Sequence, residues 1–267
     1  MKKPIAKNRF MRWVILSITT FMLIALSACS KETETQRTHF LLLDSRVVEK
    51  TENAKLTVGT VQKHAANPLF TEDKPWEKRF DNLYGNVIYD EQEKIYKCWY
   101  SPFIIDQSAQ GMSLDARDNM EYDSPDNREM GICYATSKDG ITWKKPELGI
   151  VQYNDSKANN ILWRGNGDIG EHWEGPHGSG IFKDLREQDP DRLYKAIFKE
   201  EILSVAFSAD GIHWSSSIGT PEADVAGDTH NNAFWAPTLG KYVGITRSWG
   251  EEKGRQVVRI ESEDFIK

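Results

Sequence analysis

Cysteine is scarce in this 267-residue chain, with only Cys29, Cys98 and Cys133. None belongs to a C-x-x-C pair or to a zinc-type spacing, which excludes the common thiol-based metal and redox motifs. No Gly-rich phosphate loop, Ser nucleophile elbow or His pair at helical spacing occurs. Nucleotide cofactors and helical metalloprotease chemistry therefore find no motif here. Sustained helical periodicity is absent beyond the first 28 residues, and no apolar run reaches the ~20 residues that a membrane-spanning helix needs. An all-β fold class is what remains.

The apolar run that does exist is short, Trp13 to Leu26, behind Lys2, Lys3, Lys7, Arg9 and Arg12. It ends in Leu26-Ser27-Ala28-Cys29, small residues directly before a Cys. This resembles a bacterial lipoprotein signal, with residues 1–28 as the leader and Cys29 as the lipidation site. The expected location is the cell envelope, on the periplasmic face or outer membrane, with acyl chains on Cys29 as the membrane partner. The polar residues 29–38 read as a flexible tether.

Without the five basic residues of 1–28, 29 Lys and Arg face 40 Asp and Glu, a formal charge of −11. Such a balance argues against nucleic acid as a partner, because a phosphate backbone selects a basic surface. It also disfavours strongly anionic polysaccharides, although a local basic patch is compatible with it. Eight Trp remain after the leader, and neutral sugars are commonly gripped by aromatic faces and acidic or amide side chains. Cys98 and Cys133 fall in neighbouring predicted strands, where they are either a disulfide formed after export or two buried thiols.

The densest pattern is Tyr134 to Trp143, Y-A-T-S-K-D-G-I-T-W. Asp139-Gly140 marks a tight turn, because Gly adopts positive φ without steric cost. The pattern returns at Ser208-Ala-Asp210-Gly211-Ile-His-Trp214, and an echo without Gly, Ser262-Glu-Asp264-Phe-Ile-Lys267, lies at the end of the given sequence. Each copy follows two short strands joined by a turn: 86–90 with 94–100, 179–184 with 192–198, and 232–237 with 241–247. Repeats of 71 and 54 positions made only of short strands are the signature of propeller blades. His39 to Val48 and Leu56 to Val61 read as further strands. The polar stretches Ile105–Glu129 and Asn154–Gly180 read as loops.

Together, R-F-D-N-L-Y-G-N-V-I-Y-D, K-I-Y-K-C-W-Y, Y-A-T-S-K-D-G-I-T-W and D-T-H-N-N-A-F-W resemble bacterial proteins similar to glycoside hydrolase families 32 and 43. The resemblance spans roughly Leu41 to Lys267. It implies a five-bladed β-propeller, here an incomplete one of about three four-stranded antiparallel blades over residues 39–267. It also implies a central carbohydrate site in which three carboxylates act as nucleophile or base, pKa-tuning residue and general acid. Asp81, in Asp81-Asn82-Leu83-Tyr84-Gly85, matches the Asp of the family's first motif, though one residue longer and without Pro. The family's Arg-Asp-Pro is missing from the second unit, where Glu174, His177 and Ser179 stand instead. Its Glu-Cys pair is missing from the third, where Asp228, His230, Asn231 and Asn232 stand.

The expected catalytic set is thus Asp81, Asp228 as the acid, and Glu174. His177, His230, Asn231, Asn82 and Arg247 are expected to bind substrate. No metal or cofactor is expected, although a structural calcium ion in the channel is compatible with the fold. Three repeat units fit in the 239 residues after the leader, and the third is expected to lack its Trp and its closing turn, as in the N-terminal part of a longer protein. Three functions stay open: a carbohydrate-cleaving hydrolase, a glycan-binding propeller without turnover, and a sialidase-like propeller, for which no arginine triad can be assembled.

Overall fold

The structure, a computed structural model, describes residues 42–43, 45–80, 82–106, 108, 112–120, 128–165, 175–250 and 254–267. The expectations for residues 1–38, including Cys29, lie outside the described residues, as do Asp81 and Glu174. Two compact units are distinguished, Met1–Gln62 and Lys63–Lys267.

The first unit holds a 3-10 turn, Ser45–Val47, and no strand among its described residues. This corrects the strand expected over Leu56–Val61 and, for its described residues, the one expected over His39–Val48, of which residues 39–41 and 44 lie outside them. Leu43 is 81% and Val58 97% exposed. An apolar segment becomes a strand only when a partner supplies the ladder bonds that its backbone needs, and none is present among the described residues of this unit.

The second unit is built of three antiparallel sheets, one per repeat. The first contains β1 (Asn86–Asp90), β2 (Ile95–Tyr100), β3 (Phe103–Asp106), β4 (Arg128–Ser137), β5 (Trp143–Lys144) and β6 (Ile161–Arg164). Its blade runs β1-β2-β4-β5, with β3 and β6 on the upper half of β4. The second sheet, β7 (His177–Lys183) to β10 (Ile218–Gly219), is four-stranded through β8 (Tyr194–Lys199) and β9 (Leu203–Ser208). The third has three strands: β11 (Asn232–Ala236), β12 (Lys241–Gly250) and β13 (Gly254–Ser262). β7 packs beside both β1 and β11, so the sheets follow one another as propeller blades around their first strands. The stretch expected as a loop over Ile105–Glu129 is structured at both ends, by β3 and β4. It also holds one helical turn, Leu114–Asp118, capped by the Ser113 side chain. The second expected loop contains β6 and the start of β7.

The three turns are built alike. Ser137 Oγ accepts from Gly140 N at 2.9 Å, and Asp139 Oδ1 accepts from Ile141 N and Thr142 N at 2.8 and 2.7 Å. Ser208 and Asp210 repeat this with Gly211, Ile212 and His213. Trp143 pairs with Ser137, and Trp214 with Ser208, so the two indoles are equivalent. The third turn closes too, contrary to expectation: Ser262 and Asp264 bind the same backbone positions, with Phe265 at φ +67° where Gly140 and Gly211 have +73° and +77°. A side chain there is unfavourable. The Phe265 ring is buried among Tyr242, Phe207 and Phe182, which offsets that cost.

Apolar layers lie between successive sheets, around Trp99, Tyr134, Tyr194 and Phe198 for the first pair and Leu203, Val205, Tyr242 and Phe265 for the second. Trp99 is fully buried and donates from Nε1 to Gly211 O at 2.7 Å, tying the first sheet to the turn of the second. A charged network repeats at the far end of the first strands. Asp90 meets Lys97, Lys183 and the Tyr194 hydroxyl; Asp184 meets Lys195 and the Tyr242 hydroxyl. Cys98 and Cys133 are separate buried thiols. Among the described residues no helix is long and apolar enough to cross a membrane.

Candidate functional site

The residues just before and at the start of β1, β7 and β11 meet at one end of the sheets. What brings them together is backbone proximity. A Cβ on Gly178 would overlap Thr229 O, and one on Gly180 would overlap Asn231 O. Only glycine lets β7 run this close to the approach to β11, and Gly178 also holds φ +64°. Asn231 N then donates to Gly178 O at 2.8 Å. On the other side, Asn86 Nδ2 donates to Ser179 O at 2.8 Å, and its Oδ1 accepts from Ile181 N at 3.0 Å. Ser101 Oγ and Ser179 Oγ lie 2.9 Å apart.

Tyr84, His177 and His230 pack on this frame. The Tyr84 ring meets His177 edge-on at 5.4 Å and His230 at 5.5 Å, with its hydroxyl 3.4 Å from His177 Nε2. Tyr84 sits at φ +46°, uncommon for a bulky residue, which aims its ring across the mouth of β1. His230 Nε2 lies 3.3 Å from Asn86 Oδ1. That oxygen is an acceptor, so Nε2 carries the proton and Nδ1 is left as an acceptor. Burial lowers the pKa of His230 below the usual histidine value, which keeps the ring neutral at pH 7.

Asp228 forms an ion pair with Arg247, at side-chain exposures of 40% and 18%. Arg247 comes from β12, and its carbonyl accepts from Gly227 N at 3.0 Å. Arg247, expected to bind substrate, is largely buried and part of the cluster.

Asn231 stands apart from the other expected substrate ligands. It is fully buried, and its amide donates to Gly178 O, Gly227 O and Thr229 O, while its Oδ1 accepts from Thr246 Oγ1. Its side chain holds the frame and has no group to offer a ligand. Asn82 is exposed. Tyr84 and Asn86 were missed in the sequence. The signal for Asn86 was the recurrence of Asn at the start of the first strand, Asn86 and Asn232; Tyr84 has no such recurrence. Together the cluster presents a carboxylate paired with a guanidinium, a neutral imidazole, a second histidine and a phenol, a set of directional donors and acceptors beside aromatic edges. Among the described residues no group of three or more His, Cys, Asp or Glu is placed to hold a metal ion.

No family model matches the chain, and no curated protein matches it. Solved structures do. A putative glycoside hydrolase from Bacteroides ovatus is 15% identical at a TM-score of 0.47, over 79% of this chain and 58% of that one. A family 117 glycoside hydrolase from the marine bacterium Zobellia galactanivorans is 14% identical at 0.43, over 74% and 56%. An N-acetylgalactosamine deacetylase from F. plautii is 11% identical at 0.41, over 68% and 49%. The chain spans about half the length of the solved structures it matches.

Proposed function

We propose that this protein is a carbohydrate-active propeller, a glycoside hydrolase-like protein that takes its substrate at the end of the sheets where β1, β7 and β11 begin. One observation carries the reading. Tyr84, His177, His230, Asp228 and Arg247 come from three separate repeats, yet they converge on one backbone frame held by Asn86 and the Gly178–Asn231 contact. Glycoside cleavage needs one carboxyl group to protonate the leaving oxygen and another to attack or activate water. Asp81, Glu174 and Asp228 would supply these carboxyl groups, with Asp228 as the acid. His177, His230 and Asn82 would bind sugar hydroxyls. Cys29 would carry the lipid that holds the protein at the cell envelope.

A second reading, a glycan-binding propeller without turnover, is favoured by the missing Arg-Asp-Pro and Glu-Cys motifs of the second and third units. A panel of aryl glycosides and oligosaccharides separates the two. Under the first, Asp228→Asn lowers turnover by several orders of magnitude and leaves binding largely intact; under the second, wild type binds and releases no product. Normal turnover in Asp228→Asn would remove this residue from the chemistry. Labelling with a palmitate analogue should mark wild type and spare Cys29→Ala, and equal labelling would reject the anchor.

A further inference from the structure

The third sheet adds to Arg247 of the central cluster a second cation, Arg255, that the cluster does not use. Side chains alternate along β12, so Arg247 and Trp249 project from one face, and the register Trp249↔Arg255 puts Arg255 on that face of β13. The guanidinium carbons of Arg247 and Arg255 lie 5.2 and 5.4 Å from the Trp249 ring centroid, within cation–π reach. The indole is still 55% exposed. Two like charges therefore share one ring. Asp228 is paired with Arg247, and among the described residues no carboxylate pairs with Arg255. The buried Arg247 Nε also has no hydrogen-bond partner. Burial and the neighbouring Arg255 both lower the proton affinity of Arg247, as expected where negative charge is in deficit. Among the described residues the cations around this ring outnumber the carboxylates, in a chain whose formal charge is −6.

We propose that Trp249, Arg247 and Arg255 form a subsite for an anionic sugar residue, one bearing a carboxylate or a sulfate, beside the central cluster. The inference rests on reading that cluster as a saccharide site and names the class of its ligand. The open part of the indole packs against the C–H face of a pyranose. The guanidinium groups are planar forks that match two oxygens of a carboxylate or sulfate, and an anion here would relieve their mutual repulsion.

The test titrates the full chain with three probes: oligogalacturonate, a sulfated κ-carrageenan oligosaccharide and a neutral β-1,4-galacto-oligosaccharide. At least one acidic probe should bind about tenfold or more tightly than the neutral one, with the gap closing as salt is raised. The better acidic probe tells carboxylate from sulfate. Arg255→Ala should lose that advantage and leave neutral binding unchanged, and Arg255→Lys should restore part of it. Equal affinity for all three probes, or an Arg255→Ala variant that weakens all three alike, overturns the subsite. If neutral binding persists in that case and is lost in His230→Ala, the central site survives and only the subsite falls. If His230→Ala changes no binding at all, the central reading falls. Absence of binding to every probe overturns both.

Discussion

Replacing Lys195 by Met probes what joins the second sheet to the third. Lys195 is fully buried, with Nζ 2.8 Å from Glu187 Oε2, 3.2 Å from Asp184 Oδ2 and 3.0 Å from Arg192 O. Met keeps the apolar stem and removes the charge. Asp184, with 3% of its side chain exposed, would keep the Tyr242 hydroxyl at 2.6 Å and Arg186 N at 3.0 Å, neither of which replaces an ammonium. Removing one partner of a buried ion pair costs about 3–5 kcal/mol, or about 6–20 °C in Tm for a unit of this size. Urea unfolding at pH 7 should show the loss as a lower midpoint at unchanged m-value.

The pH dependence gives a second check on the same variant. Burial opposes ionisation of Glu187, but the Lys195 hydrogen bond and the backbone N–H of Asp189 outweigh it and bring its pKa down to about 2. Asp184 is lowered as well, burial again being outweighed, here by Tyr242, Arg186 N and Lys195. Depressed carboxylates contribute stability above their unfolded pKa of about 4, and that contribution is lost as pH falls toward 2. The gap between wild type and Lys195→Met should therefore narrow from pH 5 to pH 2. A loss below about 1 kcal/mol at pH 7, or a gap that does not narrow in acid, would refute the reasoning.

Two further predictions concern packing. Burial pushes the Cys98 thiol up to about 12, and Cys133 is raised well above its ordinary value for the same reason. Both should stay unreactive toward a thiol reagent at pH 8 and react once urea unfolds the protein; rapid native labelling would show that the first sheet is not packed as described. Gly178→Ala places a methyl group against Thr229 O at a positive φ, so stability and ligand binding should fall together, whereas Gly149→Ala, strained in φ but facing open space, should affect stability alone; equal binding by both variants would show that the β7–β11 approach does not shape the site.

The turns were legible because their chemistry is local. Ser137 and Asp139, like Ser208 and Asp210, satisfy backbone donors two and three residues away, and such bonds leave a fixed spacing in the sequence. The third turn misled because Phe265 occupies a glycine position, and what makes that tolerable is packing against residues about 20 to 80 positions distant. His39–Val48 misled in the opposite way: its apolar pattern says strand, but a pattern does not supply a partner. At the site, the approaches to β7 and β11 could be read as entry points to one funnel. The role of Asn231 could not, since its acceptors are set by the close approach of two backbones. Nor could the strained φ of Tyr84, which depends on the ring it must reach.

Asn86 and Asn232 occupy the same position in their repeats, and each amide bonds the carbonyl two residues before it, at 2.9 and 3.3 Å. Asn86 extends that amide into Ser179 and Ile181 of the adjoining strand, while Asn232 is exposed. The first two repeats are therefore indexed by a side chain at their inner edge, in the way a dowel aligns two boards whatever their outer dimensions. Alignment fixed at that point is insensitive to what happens at the rim. The repeats can then differ in period by 17 positions, 71 against 54, and the first can carry a long insertion between β3 and β4, while their inner ends stay in register.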